Sequence, residues 1–253
     1  MDQIKKMSAG HDFLKLLGRT KLRPGGGIVT KWLLSQVSIN EYSRVLEVAC
    51  NQGDNLISIY NDSKCEIKGI DIDLDVVEKC VDNLKILGLE DKIDVVQMDA
   101  KNLKFNDQSF DLVLNEAMLT MLQDEDKRLA LKEYYRVLKP EGKLIIHDVS
   151  IDKDDEDLIK KVSVMANINA KPLTKFGWVE LLEECGFEVE AEKHGKFLLL
   201  DKETIIRDEG PMRAIEFYKN ASKEEFKERI DTMTKRSSNG DMNYIGIIAK
   251  KGN

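Results

Sequence analysis

The chain has 253 residues, of which 42% are hydrophobic and 34% are charged, and its formal net charge at pH 7 is -7. This length and apolar content are enough for one large domain, or for one domain with an appended lobe. The acidic balance argues against non-specific nucleic-acid binding, which needs a basic surface, although it does not exclude a local basic patch.

We expect a cytoplasmic protein without a membrane span. No apolar run approaches the roughly 18 residues that a membrane-spanning helix needs, and the polar start MDQIKKMSAGHDF lacks the apolar core of a signal peptide. The cysteines are scattered without a C-x-x-C pair, which favours reduced thiols over a metal site or a disulfide framework; they are Cys50, Cys65, Cys80 and Cys185.

The first part of the chain predicts two short helices joined by a glycine-rich loop. Apolar residues cluster at 13–17, which favours a helix within residues 1–20 that lies over another part of the molecule. Pro24 and the glycines at 25–27 predict a loop, and the spacing after it predicts a helix over 28–37. The N–H groups of this loop suit an anion, but a plain hinge between a lid and the rest of the protein explains the glycines equally well.

Strands and helices then alternate. The predicted strands cover 44–49, 66–71, 93–98, 110–115 and 143–149. The predicted helices cover about 54–60, the stretch from the N-cap Asp73 to Gly88, and 126–138. Nearly continuous apolar strands that alternate with helices are typical of a parallel sheet covered on both faces.

The alternation stops after Val149. The acidic run 152–157 reads as a solvated loop or helix start rather than a metal site. The later elements are predicted as a helix within 157–168, a helix over 175–185 capped by Thr174, a strand over 187–192, a charged helix from Ser222 to about Lys235, and a last strand over 243–249.

The turn after the first strand is the centre of the predicted site. An apolar strand carrying Glu47 is followed by the small polar turn ACNQG and then by a helix, and ligands of open α/β sheets bind at such turns. Asp71 ends the second strand, where its carboxylate can accept hydrogen bonds from both hydroxyls of a ribose. Asp99 ends the third strand, where it can accept from an adenine amine, with the Ala100 N–H as a second contact.

The same turn excludes two kinds of nucleotide site. A dinucleotide site needs G-x-G-x-x-G so that a pyrophosphate can approach the backbone, and this turn keeps only Gly53. The P-loop motif G-x-x-x-x-G-K-[ST] does not occur in the chain. An adenosine without phosphate therefore fits best.

Several strings in this order resemble the class I S-adenosylmethionine-dependent methyltransferases, in particular the small-molecule branch that includes ubiquinone/menaquinone-biosynthesis methyltransferases. They are VLEVACNQG, KGIDIDLDVVEKC, QMDAKNLKFNDQSFDLVLNEAMLTML, YYRVLKPEGKLIIHD and FGWVELLEECGFEVE, and the likeness covers about residues 40–195 and the final strand. The resemblance implies a Rossmann-like three-layer α/β/α sandwich, with a mostly parallel sheet of seven strands whose last strand is antiparallel.

The resemblance also implies roles for single residues, with S-adenosylmethionine as the cofactor. Glu47 would orient the methionine part, and the turn beneath it would comprise Ala49, Cys50, Asn51 and Gly53. Asp71 would bind the ribose, Ile72 would pack on the adenine, and Asp99 would hold the adenine amine. Asn115 would offer its backbone carbonyl to the cofactor's amino group.

The turn departs from the family at two glycine positions, now Ala49 and Asn51. The side chain of Ala49 is tolerable there if its φ is negative, and Asn51 tolerates a left-handed backbone.

Catalysis by such a protein rests mainly on alignment, and a general base is needed only if the acceptor must lose a proton. The candidate bases are Glu116 and His147, although a strand-end histidine is often simply satisfied by its neighbours. His11 and His194 lie in polar settings that do not single them out. A lid over the cofactor carboxylate could come from Arg19, Arg23, Gly25 and Gly26.

We therefore expect three parts in the chain: residues 1–40 with N-terminal helices and the glycine-rich lid, 41–150 as the cofactor-binding core, and 151–253 with an insertion and the final strands. The insertion carries Trp178, Phe197, Met212, Phe217 and Tyr218, which would line an apolar acceptor cavity or a homodimer contact. The expected function is methyl transfer to a small organic acceptor. Methylation of a macromolecule, or cofactor binding with lost or different catalysis, are the alternatives.

Overall fold

The computed structural model describes residues 10–166, 169–238, 240 and 242–252. Its strands are β1 (Arg44–Val48), β2 (Glu66–Asp71), β3 (Ile93–Gln97), β4 (Phe110–Glu116), β5 (Leu138–Ile151), β6 (Leu173–Thr174), β7 (Phe187–Lys196) and β8 (Met242–Lys251). Its helices are α1 (Gly10–Leu16), α2 (Gly26–Ser35), α3 (Asp54–Ser63), α4 (Leu74–Ile86), α5 (Asp124–Val137), α6 (Glu156–Ala166), α7 (Lys175–Glu184), α8 (Lys202–Glu209), α9 (Pro211–Ala221) and α10 (Glu224–Ser238).

The strands form one mixed sheet in the order β3-β2-β1-β4-β5-β8-β7, and β6 pairs with β5. The pairs among β1 to β5 are parallel, and β8 runs antiparallel to both β5 and β7. The Rossmann-like fold with an antiparallel last strand is confirmed. The expected number of seven strands is wrong, because the two-residue β6 makes the described sheet eight-stranded.

Both faces of the sheet are covered, as the apolar strands predict. Neighbouring residues of β1 belong to different cores: Leu46 packs with α5 and α7, and Val45 packs with α2, α3 and α4. The side chains of a strand point alternately to its two faces, so these cores lie on opposite sides of the sheet. The result is the predicted three-layer sandwich.

The predicted caps form as expected, and several boundaries move. Asp73 accepts a hydrogen bond from the Asp75 N–H at 2.9 Å, and Thr174 accepts from the Gly177 N–H at 3.0 Å. Strand β5 starts at Leu138 rather than at the predicted residue 143, because Phe110 pairs with Leu138 before the register of β4 and β5 shifts. Parts of the predicted first helix (residues 1–9) and of the predicted helix end (Asn167 and Ile168) lie outside the described residues.

A third apolar cluster joins the N-terminal segment to the insertion that precedes the last strand. Phe13, Leu14 and Leu17, in and just after α1, pack against Ile205 of α8 and Phe217 of α9. The N-terminal segment is therefore anchored on the C-terminal insertion, in front of the carboxyl ends of the strands. None of the described helices is long and apolar enough to cross a membrane.

Candidate active site

The turn between β1 and α3 has three residues in the left-handed region, with φ of 59° at Ala49, 50° at Asn51 and 85° at Gly53. The condition under which a side chain at position 49 would be unstrained, a negative φ, is therefore not met, whereas Asn51 adopts the left-handed backbone that it was expected to tolerate. Hydrogen bonds hold the strained turn: the Cys50 N–H donates to the Ile70 carbonyl at 3.0 Å. At Gly53 a side chain is excluded, because a Cβ would lie 2.7 Å from Cys80 Sγ.

Asp71 supports the turn and faces the same cavity. Its Oδ2 accepts from the Asn51 N–H and its Oδ1 from the Asp73 N–H, both at 3.2 Å. These bonds orient the carboxylate at the end of β2 and leave further lone pairs for a ligand. The neighbouring Ile72 is 65% exposed at the cavity wall, which suits packing against a planar ring.

Asp99 and Ala100 line the cavity next to this point. Asp99 Oδ1 accepts from the Lys101 N–H at 2.9 Å, which fixes the carboxylate after the end of β3. Since β3 and β2 are adjacent and parallel, the acids that follow them meet at one edge of the sheet.

Asn55 joins Glu47 and Glu116 through hydrogen bonds, although it was not among the predicted site residues. Asn55 Nδ2 donates to Glu47 Oε1 and to Glu116 Oε2, each at 2.8 Å. Asn55 stands in the first turn of α3, so the helix that follows the glycine turn supplies it.

Glu47 keeps one oxygen without a partner. Its Oε2 is buried and has no hydrogen-bond partner among the described residues. Burial raises the pKa of Glu47 well above its usual value, and the nearby Glu116 adds to this, while Asn55 and Arg23 oppose it. A buried carboxylate oxygen in a cavity wall is a ready acceptor for a ligand ammonium group.

Arg23 closes this side of the site from the N-terminal segment. Its Nη2 donates to Asn55 Oδ1 at 2.6 Å, and its Nε lies 3.1 Å from Glu116 Oε2. Burial alone would raise the pKa of Glu116, but the charge of Arg23 and the hydrogen bond from His147 lower it to about 2. Glu116 is therefore an ionised partner of Arg23 at neutral pH and a poor proton acceptor.

The structure places His147 behind Glu116. It is fully buried and absent from the cavity wall, its Nε2 accepts from the Gly25 N–H at 2.9 Å, and its Nδ1 lies 2.8 Å from Glu116 Oε1. Because Nε2 accepts, the proton sits on Nδ1 and is donated to Glu116. With both nitrogens engaged, His147 orients Glu116 and has no contact with an acceptor.

Asn115 also lies away from the cavity. It is fully buried, its Nδ2 donates to the Val48 carbonyl at 3.1 Å, and β4 continues for one residue beyond it. The next residues, Glu116 and Ala117, line the cavity instead.

The glycines of the predicted lid do not form an anion site. Helix α2 already begins at Gly26, and the N–H groups of the three glycines donate to His147, to the Arg23 carbonyl and to Asp208. Gly25 is needed for close approach, since a Cβ there would lie 2.7 Å from the Tyr244 ring. Of the predicted lid residues, Arg23 reaches the cavity and Gly25 and Gly26 do not.

One cavity of about 530 Å³ connects these groups with an apolar half. Its apolar wall comes mainly from the N-terminal segment and the insertion, and includes Leu14, Val162, Ala170, Phe197, Leu199, Met233 and Met242. Among the residues of the insertion predicted for this purpose, Phe197 lines the cavity. Trp178 and Phe217 belong to apolar cores, and Met212 is exposed.

Comparisons with known proteins agree with this architecture. Residues 45–142 match the family model of the methyltransferase domain. The chain is 38% identical to an uncharacterized protein of Haemophilus influenzae, over 98% of this chain and 100% of the other. It is 36% identical to the ubiquinone/menaquinone biosynthesis C-methyltransferase UbiE of Pseudoalteromonas translucida, over 40% of this chain and 39% of that protein.

The chain spans about half the length of two further curated relatives: the match covers 50% of one relative and 51% of the other. Among solved structures, the MccD protein superimposes with a TM-score of 0.73 at 20% identity, covering 91% of this chain and 100% of the other. The donor set fits the cofactor of this family, because the carboxylates at 71 and 99 and the unpartnered Glu47 oxygen line one cavity and can accept hydrogen bonds from hydroxyl and amino groups. The chain belongs to the class I S-adenosylmethionine-dependent methyltransferases.

Proposed function

We propose that this protein transfers the methyl group of S-adenosylmethionine to a small organic molecule with an apolar body. The observation that carries the proposal is the continuity of the cavity, which runs from the unpartnered oxygen of Glu47 to an apolar chamber lined by Phe197, Leu199 and Met242. A cofactor half and an acceptor half that share one cavity are what group transfer between two bound molecules requires.

In the cofactor half, Asp71 would bind the ribose hydroxyls, Asp99 the adenine amine and Glu47 the amino group. Arg23 lines the same cavity and carries the positive charge that a cofactor carboxylate needs. The positive end of α3 lies close by, since the helix starts directly after Gly53.

The cofactor supplies a methyl carbon that is already activated by its sulfonium. The residues of this chain have to hold the two reactants in line and exclude water, which is worth up to roughly 7–11 kcal/mol through proximity and orientation. The N-terminal segment provides the exclusion, because Thr20, Lys21, Leu22, Arg23 and Pro24 all line the cavity.

The shape of the acceptor half favours a small molecule over a macromolecule. The N-terminal segment is tied down by Arg19, whose Nε lies 3.0 Å from Glu209 Oε1, with both side chains fully buried. The Thr20 and Lys21 N–H groups each donate to the same carboxylate at 2.9 Å. This anchoring holds the N-terminal segment in place as a wall of the cavity, which favours an acceptor small enough to lie inside the cavity.

Calorimetry followed by a methylation assay separates the candidate functions. We expect S-adenosylmethionine and S-adenosylhomocysteine to bind, and methyl-labelled S-adenosylmethionine to label a low-molecular-weight acceptor from a metabolite extract. The absence of heat with both cofactor forms would overturn the proposal. Binding without labelling of any small molecule would favour a cofactor-binding protein, and labelling confined to macromolecules would favour the other alternative.

A further inference from the structure

We propose that His11 is the general base of the reaction, taking a proton from an acceptor hydroxyl or thiol at Nδ1 and releasing it to solvent after the transfer. The inference rests on the proposed function and deepens it, because it names the reacting group of the acceptor. His11 belongs to α1, and the sequence alone did not single it out.

The position of His11 is the first part of the argument. It lines the cavity together with Leu14 and Lys15 of the same helix, in the part of the wall built by the N-terminal segment. Its Nδ1 is buried and has no hydrogen-bond partner among the described residues. A buried ring nitrogen without a partner in a cavity wall is suited to hydrogen-bond a ligand.

The neighbouring Asp12 determines which nitrogen of the His11 imidazole carries the proton. Asp12 Oδ1 lies 3.3 Å from His11 Nε2, and the side chains of His11 and Asp12 are 32% and 54% exposed. The carboxylate favours the proton on Nε2, which leaves the lone pair on the buried Nδ1. The ring thus has a proton-accepting nitrogen on the buried side and a protonated nitrogen next to Asp12.

The charge state supports this arrangement. Burial lowers the pKa of His11, and Lys15 lowers it further, while the charge of Asp12 acts in the opposite direction. The imidazole is therefore neutral at neutral pH, which is the form that can accept a proton.

Other titratable groups in the cavity wall are less suited to the task. Glu116 is ionised and paired with Arg23. Asp148 is fully buried, and its two oxygens accept from the Thr120 N–H and the Val149 N–H.

The step balances as follows. A lone pair of the acceptor oxygen or sulfur forms a bond to the methyl carbon, and the carbon–sulfur bond of the sulfonium breaks with its electron pair left on sulfur. The acceptor proton moves to His11 Nδ1, and the imidazolium loses that proton to solvent once the product has left, which restores the Nε2–H form beside Asp12. An acceptor amine that is already neutral would need no such base in the transfer itself.

Nuclear magnetic resonance of the histidine rings tests the arrangement without an acceptor. The chain contains three histidines, so the His11→Gln variant assigns the ring nitrogens of His11 in protein bound to S-adenosylhomocysteine. We expect the neutral Nε2–H form at neutral pH, and a weaker preference for it in Asp12→Asn. A charged ring, or a proton on Nδ1, would overturn the proposal whether or not an acceptor is known.

Kinetics with probe acceptors provide the second test. For phenol and alkanethiol probes that are methylated, His11→Gln should lower kcat by about 10²–10⁴-fold without changing S-adenosylmethionine affinity. His194→Gln is the matched control and should change neither quantity. An unchanged kcat in His11→Gln, or methylation of amine probes alone, would overturn the assignment. Loss of cofactor binding by the wild-type protein would instead count against the proposed function.

Discussion

Arg23 Nε lies 3.1 Å from Glu116 Oε2, with 15% and 9% of the two side chains exposed. This ion pair joins the N-terminal segment to the end of β4. It also keeps Glu116 ionised beside a second carboxylate, Glu47, that burial drives towards its neutral form. Two acids in one network thus have opposite charge preferences, which makes stability and cofactor binding depend on pH in separable ways.

Glu116→Gln should flatten the acid side of the stability curve. The pKa of Glu116 is about 2 in the folded protein against an ordinary value of 4.5, so its contribution is complete above pH 4.5 and is lost as the pH falls towards 2. The shift corresponds to about 3 kcal/mol of unfolding free energy at neutral pH. Urea unfolding between pH 7 and 3 measures it, with the exposed Glu41→Gln as control. Parallel curves for wild type and Glu116→Gln would contradict the assigned ion pair.

Glu47→Gln should stabilise the cofactor-free protein and weaken cofactor binding. The raised pKa of Glu47 means that folding becomes less favourable as the pH rises above the ordinary carboxyl value of 4.5. Removing the acid should therefore raise the unfolding free energy at neutral pH. Loss of the partner for the cofactor's amino group should reduce S-adenosylmethionine affinity by about 1–3 kcal/mol. Thermal unfolding and calorimetry report the two effects, and an unchanged affinity would move the amino group elsewhere.

Asp71→Ala should weaken cofactor binding by about 1–3 kcal/mol, because two ribose hydroxyls lose their acceptor. The Asn51 N–H loses its partner as well, so part of the effect comes from the turn. Asp71→Asn keeps an acceptor oxygen for that N–H and should have a smaller effect. Calorimetry with S-adenosylhomocysteine measures the series, with the exposed Asp62→Ala as control. Equal affinities for all four proteins would place the ribose away from β2.

Ala49→Gly tests the strain in the turn. A left-handed alanine destabilises the folded state by roughly 1–2 kcal/mol. Glycine removes this strain but lowers stability by about 0.4–1 kcal/mol, because it increases the conformational entropy of the unfolded chain. With φ of 59° at Ala49, the variant should therefore be more stable by up to about 1 kcal/mol. Ala130→Gly in α5 is the control and should be less stable by at least about 1 kcal/mol. Equal destabilisation of both variants would mean that position 49 carries no strain.

Glu209→Gln should strongly destabilise the protein. It would leave the buried Arg19 charge uncompensated, and breaking a buried pair costs about 3–5 kcal/mol. The exposed pair of Arg44 and Glu66 provides the contrast, since Glu66→Gln should cost at most about 1 kcal/mol. Chemical denaturation of the two variants measures the difference. Similar small losses would show that the N-terminal segment is not anchored by this pair.

The sheet domain was largely predictable from the chain itself. Short continuous apolar runs for strands and a period of 3.6 for helices are local patterns, so β1 to β4 and the helices between them begin and end close to their predicted positions. The convergence of Asp71 and Asp99 also follows, because parallel strands bring their carboxyl ends to one edge. Thr174 and Asp73 act as caps for the same reason, since a cap needs only its own first helical turn.

The tertiary structure decided what lies far apart in sequence. Arg23 meets Asn55 and Glu116, and His147 turns from a candidate base into a support for Glu116, through contacts between segments that no local pattern relates. The positive φ at Ala49 arises because the neighbouring strands dictate the path of the turn. Site residues can be predicted from the sequence when they follow parallel strands that end at the same edge of the sheet. Their charge states and their access to the cavity depend on burial and on partners that only the folded chain brings together.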